Sequence, residues 1–127
     1  MKIFYIKNKE FGLHTRTENK KFYLIGSYLE SDIQSDEISC QEIITYVEEV
    51  KSGKRKEWQG SGNAHILLLK SDFAYIQNMY LDDPVEEVTC NIEAFEKAIR
   101  GWLTFITDKS MTHMEVDLGD VKEVEFY

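Results

Sequence analysis

Basic residues are missing from two long stretches of this chain, and proline is missing almost everywhere. Between Phe22 and Val50 there are seven acids and no Lys or Arg, and between Ser71 and Glu96 the same holds again. The single proline, Pro84, lies inside LDDPVEEV, where Asp82, Asp83, Glu86 and Glu87 crowd together. The formal net charge is −8 over 127 residues, the reverse of the Lys- and Arg-rich balance with which proteins hold a phosphate backbone. Direct nucleic-acid binding is therefore not expected, and neither is a basic membrane-surface helix. No apolar run approaches membrane-spanning length, and Lys2 and Lys7 interrupt the opening residues, so a secretory signal is not read there either. The expected location is the cytoplasm. Two cysteines, Cys40 and Cys90, offer neither zinc spacing nor the density of a disulfide scaffold, and they read as two buried thiols.

What is present is a good supply of core formers: 43% hydrophobic residues, with seven Phe, seven Tyr and two Trp. One domain over residues 1–127 is expected at this length. MKIFYIK and LHTRT alternate as strands around a polar turn. FYLIGSYLE, Phe22 to Glu30, reads as a third strand with a bend at Gly26. Ser39 and Glu42 have the spacing of a capping box, and Ile43, Ile44, Val47 and Val50 follow at helical intervals to a stop at Gly53. That predicts a helix over about Cys40 to Lys51. KSGKRKEWQGSGN reads as a connection. HILLLK and FAYIQNMYL then form a hairpin about Ser71 and Asp72, and VEEVTC adds a short strand. Asn91 reads as the cap of a second helix carrying Ile92, Phe95, Ile99, Trp102, Leu103 and Ile106 on one stripe, ending near Thr107. Residues 108–127 fit either a closing hairpin, with strands around Met114 to Leu118 and Val121 to Phe126, or a loosely held acidic tail. The order β-β-β-α-β-β-β-α predicts an α+β fold: a mostly antiparallel sheet of about six strands with two helices on one face.

Motifs that would name a reaction are wanting. Ser61 has glycines directly beside it rather than two residues away, so it is no nucleophile elbow, and no helix follows to cradle a phosphate. His14, His65 and His113 fall in three separate elements, and LDDPVEEV has neither the alternation nor the central glycine of a calcium loop. No metal, no cofactor and no catalytic residue is expected, and an enzyme using an Asp/Glu pair ranks as the remotest reading.

The acids are the informative feature. Uncompensated blocks repel themselves, and a cationic partner would relieve that repulsion. The first candidate face is Asp82, Asp83, Glu86 and Glu87 with Tyr80. The second is Glu30, Asp32, Asp36 and Glu37 with Tyr28, since tyrosine beside carboxylate suits a protein interface.

The stretch around Arg55, Trp58, Gln59 and Gly62, followed by Cys90 and Phe95, resembles the YacL-like family of small bacterial proteins. That resemblance implies a strand-and-helix layout of the same order and brings no catalytic residues with it. By general character, rather than by motif, the chain also resembles bacterial toxin-immunity proteins, especially those of contact-dependent inhibition systems. The expectation is an immunity protein that blocks a basic toxin domain, a nuclease being the kind anticipated, by covering its active surface. The alternative is a housekeeping binding or adaptor domain without a toxin partner.

Overall fold

The computed structural model describes residues 1–125, in which seven strands form two antiparallel sheets and three α-helices pack among them. The α+β class is as expected, with two sheets in place of one and an additional helix. Strands β1 (Lys2–Asn8) and β2 (Gly12–Thr17) form a hairpin. Its turn is closed by the Asn8 side chain, which accepts the Glu10 backbone N–H at 2.8 Å, and by Gly12 at φ 78°. Strands β3 (Glu57–Ser61), β4 (His65–Lys70), β5 (Phe73–Asp82) and β6 (Val85–Asn91) make a four-stranded meander. Strand β7 (His113–Asp117) pairs antiparallel with β1, so the first sheet has the order β2-β1-β7.

The expected third strand is helical instead. A 3₁₀ turn over Lys20–Phe22 leads into α1 (Tyr23–Tyr28), which runs on as a π-helical turn over Leu29–Ile33. The apolar residues of this stretch satisfy both periods at first, but buried Phe22, Leu24, Ile25, Tyr28, Leu29 and Ile33 follow the longer one. Asn19 opens the turn by accepting the Lys21 N–H at 3.0 Å. Gly26 is not a strand bend. A Cβ there would lie 2.0 Å from Thr15 Oγ1, so glycine is what lets α1 close on β2.

Helix α2 (Glu37–Ser52) begins earlier than the capping-box reading placed it. Asp36 is its cap, accepting the N–H groups of Ile38 and Ser39 and the Ser39 hydroxyl. These donors hold the Asp36 carboxyl below the usual range. Gly53 ends the helix at φ 81°, as expected. Helix α3 (Ile92–Thr107) matches its predicted span and buries the apolar stripe, with Phe95, Trp102 and Phe105 fully enclosed. It touches both sheets and α2. Tyr5 of β1 meets the Trp102 ring edge-on at 5.0 Å and donates its hydroxyl to the Ala98 carbonyl at 2.7 Å. Asn91 stands at the N-cap position as expected but makes no side-chain cap bond; its side chain instead accepts the Lys122 N–H at 2.9 Å.

That bond bears on the C-terminal segment. β7 is a strand, but its partner is β1 rather than a following hairpin strand. Beyond it, 118–125 has no regular secondary structure and turns at Gly119, φ 74°, held by Leu118 N–H on the Met1 carbonyl at 2.9 Å and by Val124 N–H on Thr89 Oγ1 at 3.3 Å. Leu118 is buried. This is neither a hairpin nor a loose tail over the described residues; the end of the anticipated last strand, Phe126, lies outside them. Both cysteines are free and buried, and burial pushes each thiol up to about 12. No helix among the described residues is long and apolar enough to cross a membrane.

Gly26→Ala should lower stability by about 1–3 kcal/mol, the cost of forcing extra volume into a packed contact. Urea unfolding checks this, and a second change, Thr15→Ala, should recover part of the loss by opening space for the new methyl group.

Candidate functional site

The two proposed acidic faces meet different fates. β5 pairs with β4 only between Ala74 and Asn78, so its last residues continue past the sheet. Together with the start of β6 they form a two-stranded arm closed at Asp82 and Val85. Asp82 and Asp83 are exposed at its tip. Glu87 is exposed and accepts the Tyr75 hydroxyl; Glu86 is half-buried and accepts Asn78 Nδ2 at 3.2 Å. Tyr80 is 71% exposed, and Leu81 and Val85 are exposed beside it. The Tyr80 hydroxyl donates to the Asn63 carbonyl at 2.8 Å and steadies the arm against the loop before β4. On the other side Tyr23 of α1 stands by Glu86; desolvation first, and then the Glu86 carboxylate, push its hydroxyl up to about 12.

The second face does not exist as a face. Tyr28 is 4% exposed and lies in the core. Asp32 and His65 have side chains only 2% and 3% exposed, with Asp32 Oδ1 at 2.8 Å from His65 Nδ1. Asp32 Oδ2 also accepts the His65 N–H at 3.1 Å and, more loosely, the Ala64 N–H at 3.5 Å. Glu30 is half-buried, accepting the Thr15 hydroxyl at 2.6 Å, with His14 Nδ1 at 3.6 Å. Asp36 is exposed but occupied as the α2 cap, and Glu37 is exposed beside it in the helix's first turn. The reason is the helical path of residues 20–33: it turns Tyr28 and Asp32 inward, where a strand would have left alternate residues outside.

Elsewhere several acids find cations, some from distant parts of the chain. Glu115 meets Lys2 at 3.4 Å, Glu123 meets Lys21 at 2.8 Å, and Glu96 meets Lys51 at 2.7 Å. Arg100 reaches both Glu48 and Glu96, and Arg55 reaches Glu49. Among the described residues, Asp82, Asp83, Glu86 and Glu87 have no ion pair. The arm thus gathers four carboxylates without an ion pair next to exposed Tyr80, Leu81 and Val85. Such a surface suits a basic, partly apolar protein face.

Sequence reasoning missed the Asp32–His65 pair. The available signal was Gly62: a Cβ there would lie 2.3 Å from Asp32 Oδ2, so a glycine three residues before a histidine marks a close approach. Two unusual backbone features frame the same spot, the π-helical turn over Leu29–Ile33 and Gln34 at φ 56°, ψ −134°. No group of three or more potential metal ligands occurs among the described residues.

Asp32→Ala should destabilise the protein by about 3–5 kcal/mol, since it strips a buried imidazole and a backbone N–H of their acceptor. His65→Leu strips Asp32 Oδ1 of its imidazole partner and leaves amide donors on Oδ2 alone, so it too should cost about 3–5 kcal/mol, and urea midpoints of the two variants measured side by side check that the losses are comparable.

Comparison with known proteins adds kinship without an activity. The chain is 23% identical over 114 residues to a UPF0231 protein of Shewanella putrefaciens, covering 79% of this chain and 92% of the relative. It is 25% identical over 97 residues to one of Shewanella baltica, covering 65% and 78%, and 23% identical over 97 residues to one of Shewanella oneidensis, with the same coverage. No solved structure matches the chain. Residues 4–89, from β1 through the arm to β6, match the uncharacterised protein family UPF0231, and they contain Asp32, His65, Trp58 and all four carboxylates of the arm. A match over more than half of the chain places this protein in the UPF0231 family.

Proposed function

We propose that this protein is a binding protein that docks its β5–β6 arm onto a cationic protein surface, and that the partner is a basic toxin domain which it neutralises as an immunity protein. The observation that carries this reading is the contrast between the arm and the rest of the surface. Glu48, Glu49, Glu96, Glu115 and Glu123 are each met by a lysine or arginine, while the four carboxylates of the arm stand together with no ion pair among the described residues. Exposed Tyr80, Leu81 and Val85 supply apolar contact area in the middle of that negative field.

Inhibition would be by occlusion. Asp82 and Asp83 at the tip take the place of substrate phosphate opposite the partner's Lys and Arg, and long-range attraction speeds the encounter. A nuclease is the partner class whose active surface is cationic for that reason. The protein would work in the cytoplasm, without metal or cofactor, and no catalytic residue is assigned to it.

The test is binding to the product of the neighbouring gene, measured with the full chain. Asp82→Lys with Asp83→Lys should weaken the complex by about 2–4 kcal/mol, mainly through slower association, and wild-type affinity should fall steeply with added salt. An unchanged dissociation constant in the double variant would remove the arm from the interface. Protection of cells expressing the toxin is the functional readout. Wild-type protein that binds a different cellular protein through the arm and protects no cell would shift the assignment to an adaptor domain.

A further inference from the structure

We infer that the cleft between the π-helical turn, α2 and β3 binds a small organic cation, a primary ammonium or a guanidinium group. The cleft has a volume of ≈190 Å³ and is walled by Tyr28, Asp32, Glu42, Tyr46, Trp58 and Ser61, among others. It is separate from the arm, and the inference stands on observations other than those behind the docking proposal.

Tyr28 carries the argument. Its side chain is 4% exposed, and its hydroxyl has no hydrogen-bond partner among the described residues. Side-chain polar atoms fully closed off from solvent all have partners here, so this hydroxyl is the small exposed part of the residue and opens onto the cleft. A phenol buried this far normally finds a partner. Desolvation first, and then the charges of Asp32 and Cys40, push its pKa upward, so it is a neutral hydroxyl with lone pairs to offer.

The sign of the ligand follows from what surrounds the hydroxyl. The Asp32 carboxylate lies in the same wall, with one imidazole and backbone amides for company and no lysine or arginine. Glu42 is exposed on the rim and has no ion pair among the described residues. No basic side chain lines the cleft. A ligand N–H⁺ therefore meets an acceptor at the base, a buried negative charge beside it and a second carboxylate at the entrance. The Tyr46 and Trp58 rings line the cleft beside the hydrocarbon part of such a ligand, stacked on each other at 4.6 Å and 13°, with the Arg55 guanidinium 5.4 Å from the Tyr46 ring centroid. Gly62 leaves the strand close enough to hold the Asp32 carboxylate in place, and Gly60 makes room for the Trp58 ring, whose atoms would otherwise lie 2.5 Å from a Cβ.

The test is titration of the full chain with n-butylamine and agmatine, followed by amide and indole NMR shifts, with n-butanol as the neutral counterpart. Both amines should shift Gly60, Ser61, Gly62 and the Trp58 indole, saturating at roughly millimolar concentration, while n-butanol does not. Tyr28→Phe loses no protein hydrogen bond and should keep its unfolding midpoint, yet weaken amine binding by about tenfold, the usual scale for a hydrogen bond to a charged group. Glu42→Gln should weaken it less. Equal shifts from n-butanol, no shifts with either amine, or full affinity in Tyr28→Phe would each overturn the inference. The source of the cation is read from a blocked Gly-Arg-Gly peptide. Binding as tight as agmatine's identifies an arginine side chain of a protein partner as the natural occupant, and much weaker binding identifies a free amine. The arm variant carrying Asp82→Lys and Asp83→Lys should bind n-butylamine normally, so loss of the docking reading leaves this one standing.

Discussion

One buried carboxylate organises the part of the molecule that matters here. Placing Asp32 out of water carries a desolvation cost of several kcal/mol, offset only if its oxygens are satisfied. They are, by the His65 ring, the His65 N–H and the Ala64 N–H. Those donors come from Ala64 and from His65, the first residue of β4, and Asp32 comes from the π-helical turn, so the bonds tie α1's continuation to the central sheet. Asn63 adds a bond from its amide to the Ser31 carbonyl at 2.9 Å. The strained Gln34 that follows is held in turn by Trp102 of α3, whose indole N–H donates to its carbonyl at 2.8 Å. Costly backbone and costly charge thus sit within a few residues of each other, which is where fold consistency is usually given up for a site.

The surface charge follows a different logic. Exposed ion pairs such as Lys2–Glu115 and Arg55–Glu49 are each worth at most about 1 kcal/mol to stability. Their consequence is a matter of distribution. Folding brings Lys2, Lys21, Lys51 and Arg100 from basic stretches to acids far away in sequence, and the chain's blocks of like charge are broken up wherever this happens. The arm escapes because it projects past the sheet, beyond the reach of those side chains. There, acid-rich sequence stays an acidic surface, with four carboxylates together and no ion pair among the described residues.

This explains how much could be read in advance. The β1–β2 and β4–β5 hairpins were legible because alternation and turn residues agree in each, and α3 because its stripe is long and uninterrupted. Phe22 to Ile33 was not, since aromatic and branched residues there fit a strand locally and only the contact of Gly26 with Thr15 shows the helix to be the tighter solution. β3 was hidden for another reason. Its residues Glu57, Gln59 and Ser61 face solvent on a sheet edge, so little hydrophobic pattern marks it as a strand. For the site, LDDPVEEV was visible because a cluster of carboxylates cannot be anything but charged, whereas Asp32 looked like one more surface acid. Burial is a property of the whole fold, and nothing within ten residues of Asp32 announces the histidine that receives it.

The arm and the cleft are joined by the loop 62–64. Gly62 closes on the Asp32 carboxylate at one end, and the Asn63 carbonyl receives the Tyr80 hydroxyl at the other. Ala64 contributes both its N–H to Asp32 and its carbonyl to the Met79 N–H, at 3.0 Å. Asn63 and Ala64 therefore divide their polar groups between the π-helical turn with its buried carboxylate and the exposed acidic arm. A loop held at so many points has little freedom left to lose on binding, so the arm is presented in a fixed attitude and its partner need not pay to order it. The same fixation requires the Asp32–His65 contact to remain intact, which is why a pair with no exposure of its own governs the most exposed negative feature of the molecule.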